Sequence, residues 1–116
     1  MRFTDSHEWI TVVGELGTVG ISDHAQKELG EIVYVQLPEI GETIKAGQEV
    51  CVLESTKAAA DIYAPVSGTV IAINDALKKN PALLNQPETW LFQLELSNLS
   101  ELDALLTPAA YQNLIS

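Results

Sequence analysis

A chain of 116 residues can bury one core and is too short for two ordinary domains, so a single domain over residues 1–116 is expected. Its composition, 47% hydrophobic and 19% charged, excludes an intrinsically disordered tail. Six basic against 16 acidic residues give a formal charge of -10, which repels phosphate backbones and anionic headgroups and so removes nucleic acid and membrane surfaces as expected partners.

The run Met1 to Glu8 has no apolar stretch of the signal-peptide kind and contains acids that transit peptides avoid. No later apolar run approaches the length of a membrane span. A bacterial cytoplasm is the expected location, or a mitochondrial matrix for a processed eukaryotic chain. Cys51 is the only cysteine, so no internal disulfide calls for an oxidising compartment.

Short runs rich in Val and Ile, broken by Gly and Pro, then predict strands at Trp9–Val13, Gly17–Ser22, Ile32–Leu37, Glu49–Glu54, Asp61–Tyr63, Gly68–Asn74 and Trp90–Glu95. Between the second and third, Asp23–Leu29 reads as a short helix, with Ser22 or Asp23 to cap its start and Gly30 suited to the left-handed position past its end. Pro38-Glu39-Ile40-Gly41 and Pro65-Val66-Ser67-Gly68 share a Pro-x-x-Gly pattern, a weak echo suggesting two similar β units. Towards the C-terminus, Asn98 with Glu101 predicts a capping box, and Leu99, Leu102, Leu105 and Leu106 an amphipathic helix against the sheet. Thr107 and Pro108 predict the start of a last helix running to Ile115 and covering a sheet edge. Trp9, Trp90, Tyr34 and Tyr63 fall in strand-like runs and are expected in or beside the core.

The run with chemical content is Glu54-Ser55-Thr56-Lys57-Ala58-Ala59-Ala60-Asp61-Ile62-Tyr63-Ala64-Pro65-Val66-Ser67-Gly68. It places a lysine between two strands with small residues after it, the pattern of a tight turn with an accessible amine. With an ordinary pKa near 10.4, only on the order of one such amine in a thousand is neutral at pH 7, which makes it a poor catalyst. It is nevertheless a good attachment point. A lysine in a turn is by default a solvated surface residue, and only the surrounding pattern argues otherwise.

That pattern resembles the lipoyl-attachment segment of the glycine cleavage system H proteins. The resemblance continues through His7-Glu8-Trp9, Val19-Gly20-Ile21-Ser22, Leu29-Gly30-Glu31-Ile32-Val33-Tyr34-Val35, Leu37-Pro38-Glu39-Ile40-Gly41, Trp90-Leu91 and Ser100-Glu101-Leu102. It implies a mainly β fold with short helices, of the lipoyl/biotinyl-carrier type: a flattened β-barrel or sandwich (a barrel-sandwich hybrid) with its lysine at a β-hairpin tip and a helical C-terminal segment. It implies lipoate as covalent cofactor on Lys57, and roles for Glu54, three residues before, and Gly68, eleven after, in recognition by lipoate-attaching enzymes. Gly41, sixteen before, matches a family turn. Biotinyl carriers flank their lysine with methionines, whereas Thr56 and Ala58 stand here.

The implied activity is carriage and not catalysis. Glycine decarboxylase (P protein) leaves an aminomethyl group on the arm, the tetrahydrofolate-dependent aminomethyltransferase (T protein) removes the one-carbon unit and releases ammonia, and lipoamide dehydrogenase (L protein) reoxidises the dithiol. In the family the loaded arm folds against a cleft of its own carrier, for which the sequence assigns no residues. A monomer is expected. Asn85-Gln86-Pro87-Glu88-Thr89 leads directly into Trp90 where relatives have a longer glycine-containing segment, and Thr56, Cys51 and Ala60 replace a common valine, glycine and hydroxyl residue. These departures keep two alternatives open: an H-like carrier that donates lipoyl groups to other enzymes, and an unmodified interaction module. Cys51 is expected to be buried and inert, and His7 and His24 lie in no recognised metal-ligand or nucleophile spacing.

Overall fold

The structure, a computed structural model, describes residues 1–116. Its strands are β1 (Arg2–Phe3), β2 (Glu8–Val13), β3 (Leu16–Ile21), β4 (Ile32–Gln36), β5 (Thr43–Ile44), β6 (Glu49–Ser55), β7 (Ala59–Tyr63), β8 (Gly68–Ile73) and β9 (Trp90–Leu96). They form two antiparallel sheets, one ordered β1-β2-β3-β9-β8-β5 and the other β4-β6-β7. Neither sheet closes into a barrel. One cluster of 18 buried residues draws on both, with Ile10, Val19, Val70, Phe92 and Leu94 from the larger sheet and Ile32, Val35, Cys51, Leu53 and Ile62 from the smaller. The sheets are therefore two faces of one apolar layer, as a sandwich requires.

All seven expected strands are present, with ends shifted by one or two residues. The two-residue strands β1 and β5 were not expected, because they are too short to show alternation. The Pro-x-x-Gly segments do not build two equivalent units. They feed β5 and β8, which pair with each other, and Gly41 sits in a turn at φ 93° whereas Gly68 is inside a strand.

The first helix, α1 (Asp23–Leu29), has the expected bounds: the Ser22 hydroxyl accepts from the Ala25 N–H at 3.2 Å, and Gly30 follows at φ 80°. After β8 come α2 (Ala76–Lys79) and a 3-10 turn (Pro81–Asn85), neither anticipated. The Leu99 segment is a 3-10 helix (Leu99–Ala104), not an amphipathic α-helix with a capping box. Asn98 does cap it through the Ser100 N–H, but Glu101 turns away to accept from the Ser67 N–H at 2.8 Å and the Ser67 hydroxyl at 3.0 Å. A carboxylate that ties this segment to the β7–β8 connection is unavailable for a reciprocal cap. The last helix, α3 (Pro108–Ile115), starts at Thr107 and Pro108 as expected. It covers the β1 edge through Tyr111, whose ring stacks on Phe3 at 4.2 Å.

Candidate functional site

Lys57 lies in the turn joining β6 to β7, exposed, and in neither of the chain's two ion pairs. Ser55 organises that turn. Its hydroxyl accepts from the N–H groups of Lys57 and Ala58, each at 3.1 Å, and donates to the Ala58 carbonyl at 3.1 Å. The backbone closes the same loop, Ser55 N–H donating to Ala58 carbonyl at 2.8 Å, and the Thr56 N–H donates to the Glu31 carbonyl at 3.1 Å. Two N–H groups without a strand partner are thereby satisfied, and the turn is anchored to the connection after α1. The sequence pattern alone assigns Ser55 no role. A hydroxyl two residues before a turn lysine is the signature of a side-chain-closed turn and was the available signal.

The Lys57 stem lies over Gly30: a Cβ added there would fall 3.4 Å from Lys57 Cε and 3.8 Å from its Nζ. Gly30 thus ends α1 with a positive φ, which is what favours glycine there, and the lysine stem passes it at van der Waals distance. The side chain borders a shallow depression lined by Val33, Glu54, Ser55, Thr56, Ala58 and Ala59. Glu54, exposed in β6, shares the hairpin with Lys57. Gly68 does not join them: it is buried in β8 of the other sheet, where an added Cβ would meet the Glu95 carbonyl oxygen at 2.4 Å. Close backbone packing alone demands glycine there.

A separate cleft opens between the N-terminal segment and the stretch before α3, lined among others by Phe3, Asp5, Ser6, Tyr63, Pro65 and Leu105. Beneath it lies Glu8, with none of its surface exposed. Its carboxylate accepts from the hydroxyls of Thr4 and Ser6 and from the Tyr63 N–H at 3.3 Å. Burial nevertheless outweighs these bonds and raises its pKa above the ordinary 4.5. The sequence showed Glu8 only as part of His7-Glu8-Trp9, because burial of an acid at a strand start leaves no compositional mark.

The remaining candidates fall outside both places. Cys51 is buried in the core, and burial, reinforced by the charges of Glu42 and Glu8, pushes its thiol up to about 12. The rings of His7 and His24 approach to 4.8 Å, but His7 Nδ1 shares a 2.7 Å hydrogen bond with the Tyr111 hydroxyl and His24 pairs with Glu28 at 2.8 Å. No three His, Cys, Asp or Glu side chains form a metal-sized group. Trp9 is buried, and Trp90 and Tyr63 are partly buried, as expected. Tyr34 is not, at 48% exposure. A bulge between Ile32 and Tyr34 interrupts the alternation of β4, so Val33 and Tyr34 both face outward while Ile32 and Val35 face in.

With this geometry in hand, the likeness to known proteins is specific. The glycine cleavage H-protein family matches over residues 1–116. The glycine cleavage system H protein of Legionella pneumophila strain Corby is 51% identical over 119 aligned positions, covering 100% of this chain and 95% of that protein. The one from Thermotoga maritima is 46% identical, covering 96% and 92%. The crystal structure of a glycine cleavage system H protein from Mycobacterium marinum superposes with a TM-score of 0.86 at 35% identity, covering 97% and 93%. Whole-length matches in sequence and in fold place the chain in the glycine cleavage H-protein family.

Proposed function

We propose that the chain is the lipoyl carrier of a glycine cleavage system, a non-catalytic subunit whose arm is lipoate joined in amide linkage to Lys57. The observation that carries this is an exposed lysine on a hydroxyl-closed hairpin turn, in a chain of this family. Attachment forms an amide between Lys57 Nζ and the carboxyl carbon of an activated lipoate. Nζ loses one proton to become the attacking amine and a second as the amide forms, and the activating group departs with the electron pair of the bond that breaks. The product carries a dithiolane about 10 Å beyond the amine, from ordinary bond lengths. Glu54 and Gly68 are proposed to bear on recognition by the lipoate-attaching enzymes, Glu54 through its exposed carboxylate and Gly68 by fixing the β8–β9 packing.

The chain's one thiol does not compete with that role. Cys51, with a pKa of about 12, has almost no thiolate to exchange with the arm's sulfurs at neutral pH. The reacting groups therefore belong to partners: the glycine decarboxylase that loads an aminomethyl group, the aminomethyltransferase that unloads it, and the lipoamide dehydrogenase that restores the disulfide. Tethering raises the arm's effective concentration at whichever active site has docked the body. The cleft above Glu8 suits the loaded end of the arm, since a protonated amine there would face a desolvated carboxylate and stabilise its charged form. No helix is long and apolar enough to cross a membrane.

Intact-mass measurement with peptide mapping tests the reading. Protein from a lipoate-replete cell should carry a lipoyl-sized addition on Lys57, and Lys57→Arg should carry none. A bare Lys57 in a cell that lipoylates its other carriers would leave only an unmodified interaction module. Reconstitution with decarboxylase and aminomethyltransferase should then show aminomethyl transfer. A lipoylated chain that accepts no such group would instead be an H-like carrier for other enzymes.

A further inference from the structure

An enzyme that installs the arm meets the carrier before any arm exists. It must choose Lys57 from the surface around it, since exposed lysines occur on most proteins. Resting on the carrier role proposed above, we infer that Val33 and Tyr34 form an apolar docking ledge for the lipoate-attaching enzyme, immediately beside Lys57.

Three observations support the ledge. First, it is built: strict alternation along β4 would turn Tyr34 inward, and the bulge at Val33 instead delivers both side chains outward, at 52% and 48% exposure. A bulge is the usual device by which a strand re-aims side chains near a functional site. Second, it is continuous with the lysine. Val33 lines the depression that Lys57 borders and also the adjoining one formed with Tyr34, Leu37, Lys78 and Pro81. Third, carboxylates stand on its hairpin side, with Lys78 at the opposite end. Tyr34 is directly opposite Glu54 across the β4–β6 pair, and exposed Glu31 precedes β4 and accepts from the Thr56 N–H through its carbonyl.

An apolar centre with carboxylates beside it fits a partner presenting an apolar patch edged with lysine or arginine. The bare lysine of the substrate needs only to pass those carboxylates. The attaching enzyme is chosen over the later arm-using enzymes because they can recognise the arm itself, whereas it has only the protein surface to read.

Steady-state acylation of the purified, unmodified chain by a lipoate ligase with lipoate and ATP tests the ledge. The Val33→Ser/Tyr34→Ser double variant should raise KM for the carrier by roughly tenfold with little change in kcat, the pattern of lost docking that is equal in ground and transition states. Ile71→Ser, which removes a 44%-exposed side chain from the other sheet, serves as control and should leave both constants unchanged. Thermal unfolding verifies that each variant is folded, and Val33→Ile/Tyr34→Phe should restore the wild-type KM. An unchanged KM in the double variant overturns the ledge, as does an equal rise in Ile71→Ser. Normal acylation with impaired aminomethyl loading also overturns it, by assigning the surface to the decarboxylase. If the wild-type chain itself is never acylated at Lys57, the carrier reading falls and the ledge falls with it; if wild type is acylated and the variants match it, the ledge falls alone.

Discussion

At the scale of single residues, Ser55 closes the Lys57 turn with three hydrogen bonds, all in solvent reach. In Ser55→Ala water can take over the freed N–H groups, so global stability should fall by no more than about 1 kcal/mol by urea titration. Hydrogen exchange at the Lys57 and Ala58 amides should accelerate far more than that loss accounts for, while Ser55→Thr keeps the hydroxyl and should exchange as wild type does. Gly68 behaves oppositely. A Cβ meeting a backbone carbonyl at 2.4 Å cannot be accommodated by a side-chain shift, so Gly68→Ala should cost about 2–4 kcal/mol in the same titration.

Glu8 gives the pH dependence. Its folded pKa is raised above the unfolded 4.5 because burial disfavours the carboxylate, so the folded state binds its proton more tightly than the unfolded state does. The stabilisation linked to that proton is fully present below pH 4.5 and is lost as pH rises through the folded value. Against Glu8→Gln, which cannot titrate, the wild-type stability should therefore decline from pH 4.5 upward and then level off. A difference that grows with pH would show that the Thr4, Ser6 and Tyr63 hydrogen bonds outweigh burial.

At the scale of elements, the longer strands and the two capped α-helices were readable, whereas the helical spacing of Leu99 to Leu106 misled, because Glu101 is drawn off to Ser67 and the segment winds as a 3-10 helix. Strand cores such as Trp9–Val13 and Trp90–Glu95 and the capped helix Asp23–Leu29 carry their own patterns, so they were found. The strands β1 and β5 were not, because two residues hold no period and their pairing is decided by tertiary neighbours. The bulge in β4 was hidden for a related reason: Ile32-Val33-Tyr34-Val35 is apolar throughout, and only the register against β6 shows which members face out. Of the candidate site, Lys57 and the small residues after it were visible as a motif. The buried Glu8 and the closing hydroxyl of Ser55 act through partners that the chain order does not announce. The helix α3 is an element whose attachment rests on one residue. The Tyr111 hydroxyl lies 2.7 Å from both the Ser22 hydroxyl and His7 Nδ1, and removing it in Tyr111→Phe leaves the ring stack on Phe3 intact. A loss of about 1–2 kcal/mol is expected by thermal unfolding, with α3 amides exchanging fastest among the helices.

At the scale of the whole molecule, the charge of -10 is spread over a body whose candidate arm stands at one hairpin tip. Acylation of Lys57, as proposed, removes a cation and makes the chain one unit more negative, so the modified form should run ahead of the bare form in native electrophoresis. The same field acts on encounters with partners. Long-range attraction to a basic docking face raises the association rate and is screened as the Debye length falls from about 10 Å at 0.1 M salt to about 3 Å at 1 M. An apolar ledge responds in the other direction or not at all, since burial of Val33 and Tyr34 is not weakened by simple salt. The two contributions to docking can therefore be separated in one experiment. Raising sodium chloride from 0.05 to 0.5 M should lower kcat/KM for acylation of the wild-type chain several-fold. The double variant Glu31→Gln/Glu54→Gln should begin lower and fall less, whereas Val33→Ser/Tyr34→Ser should begin lower and fall by the same factor as wild type. A salt response that survives neutralisation of both carboxylates would move the electrostatic contact away from the hairpin to another acidic part of the surface.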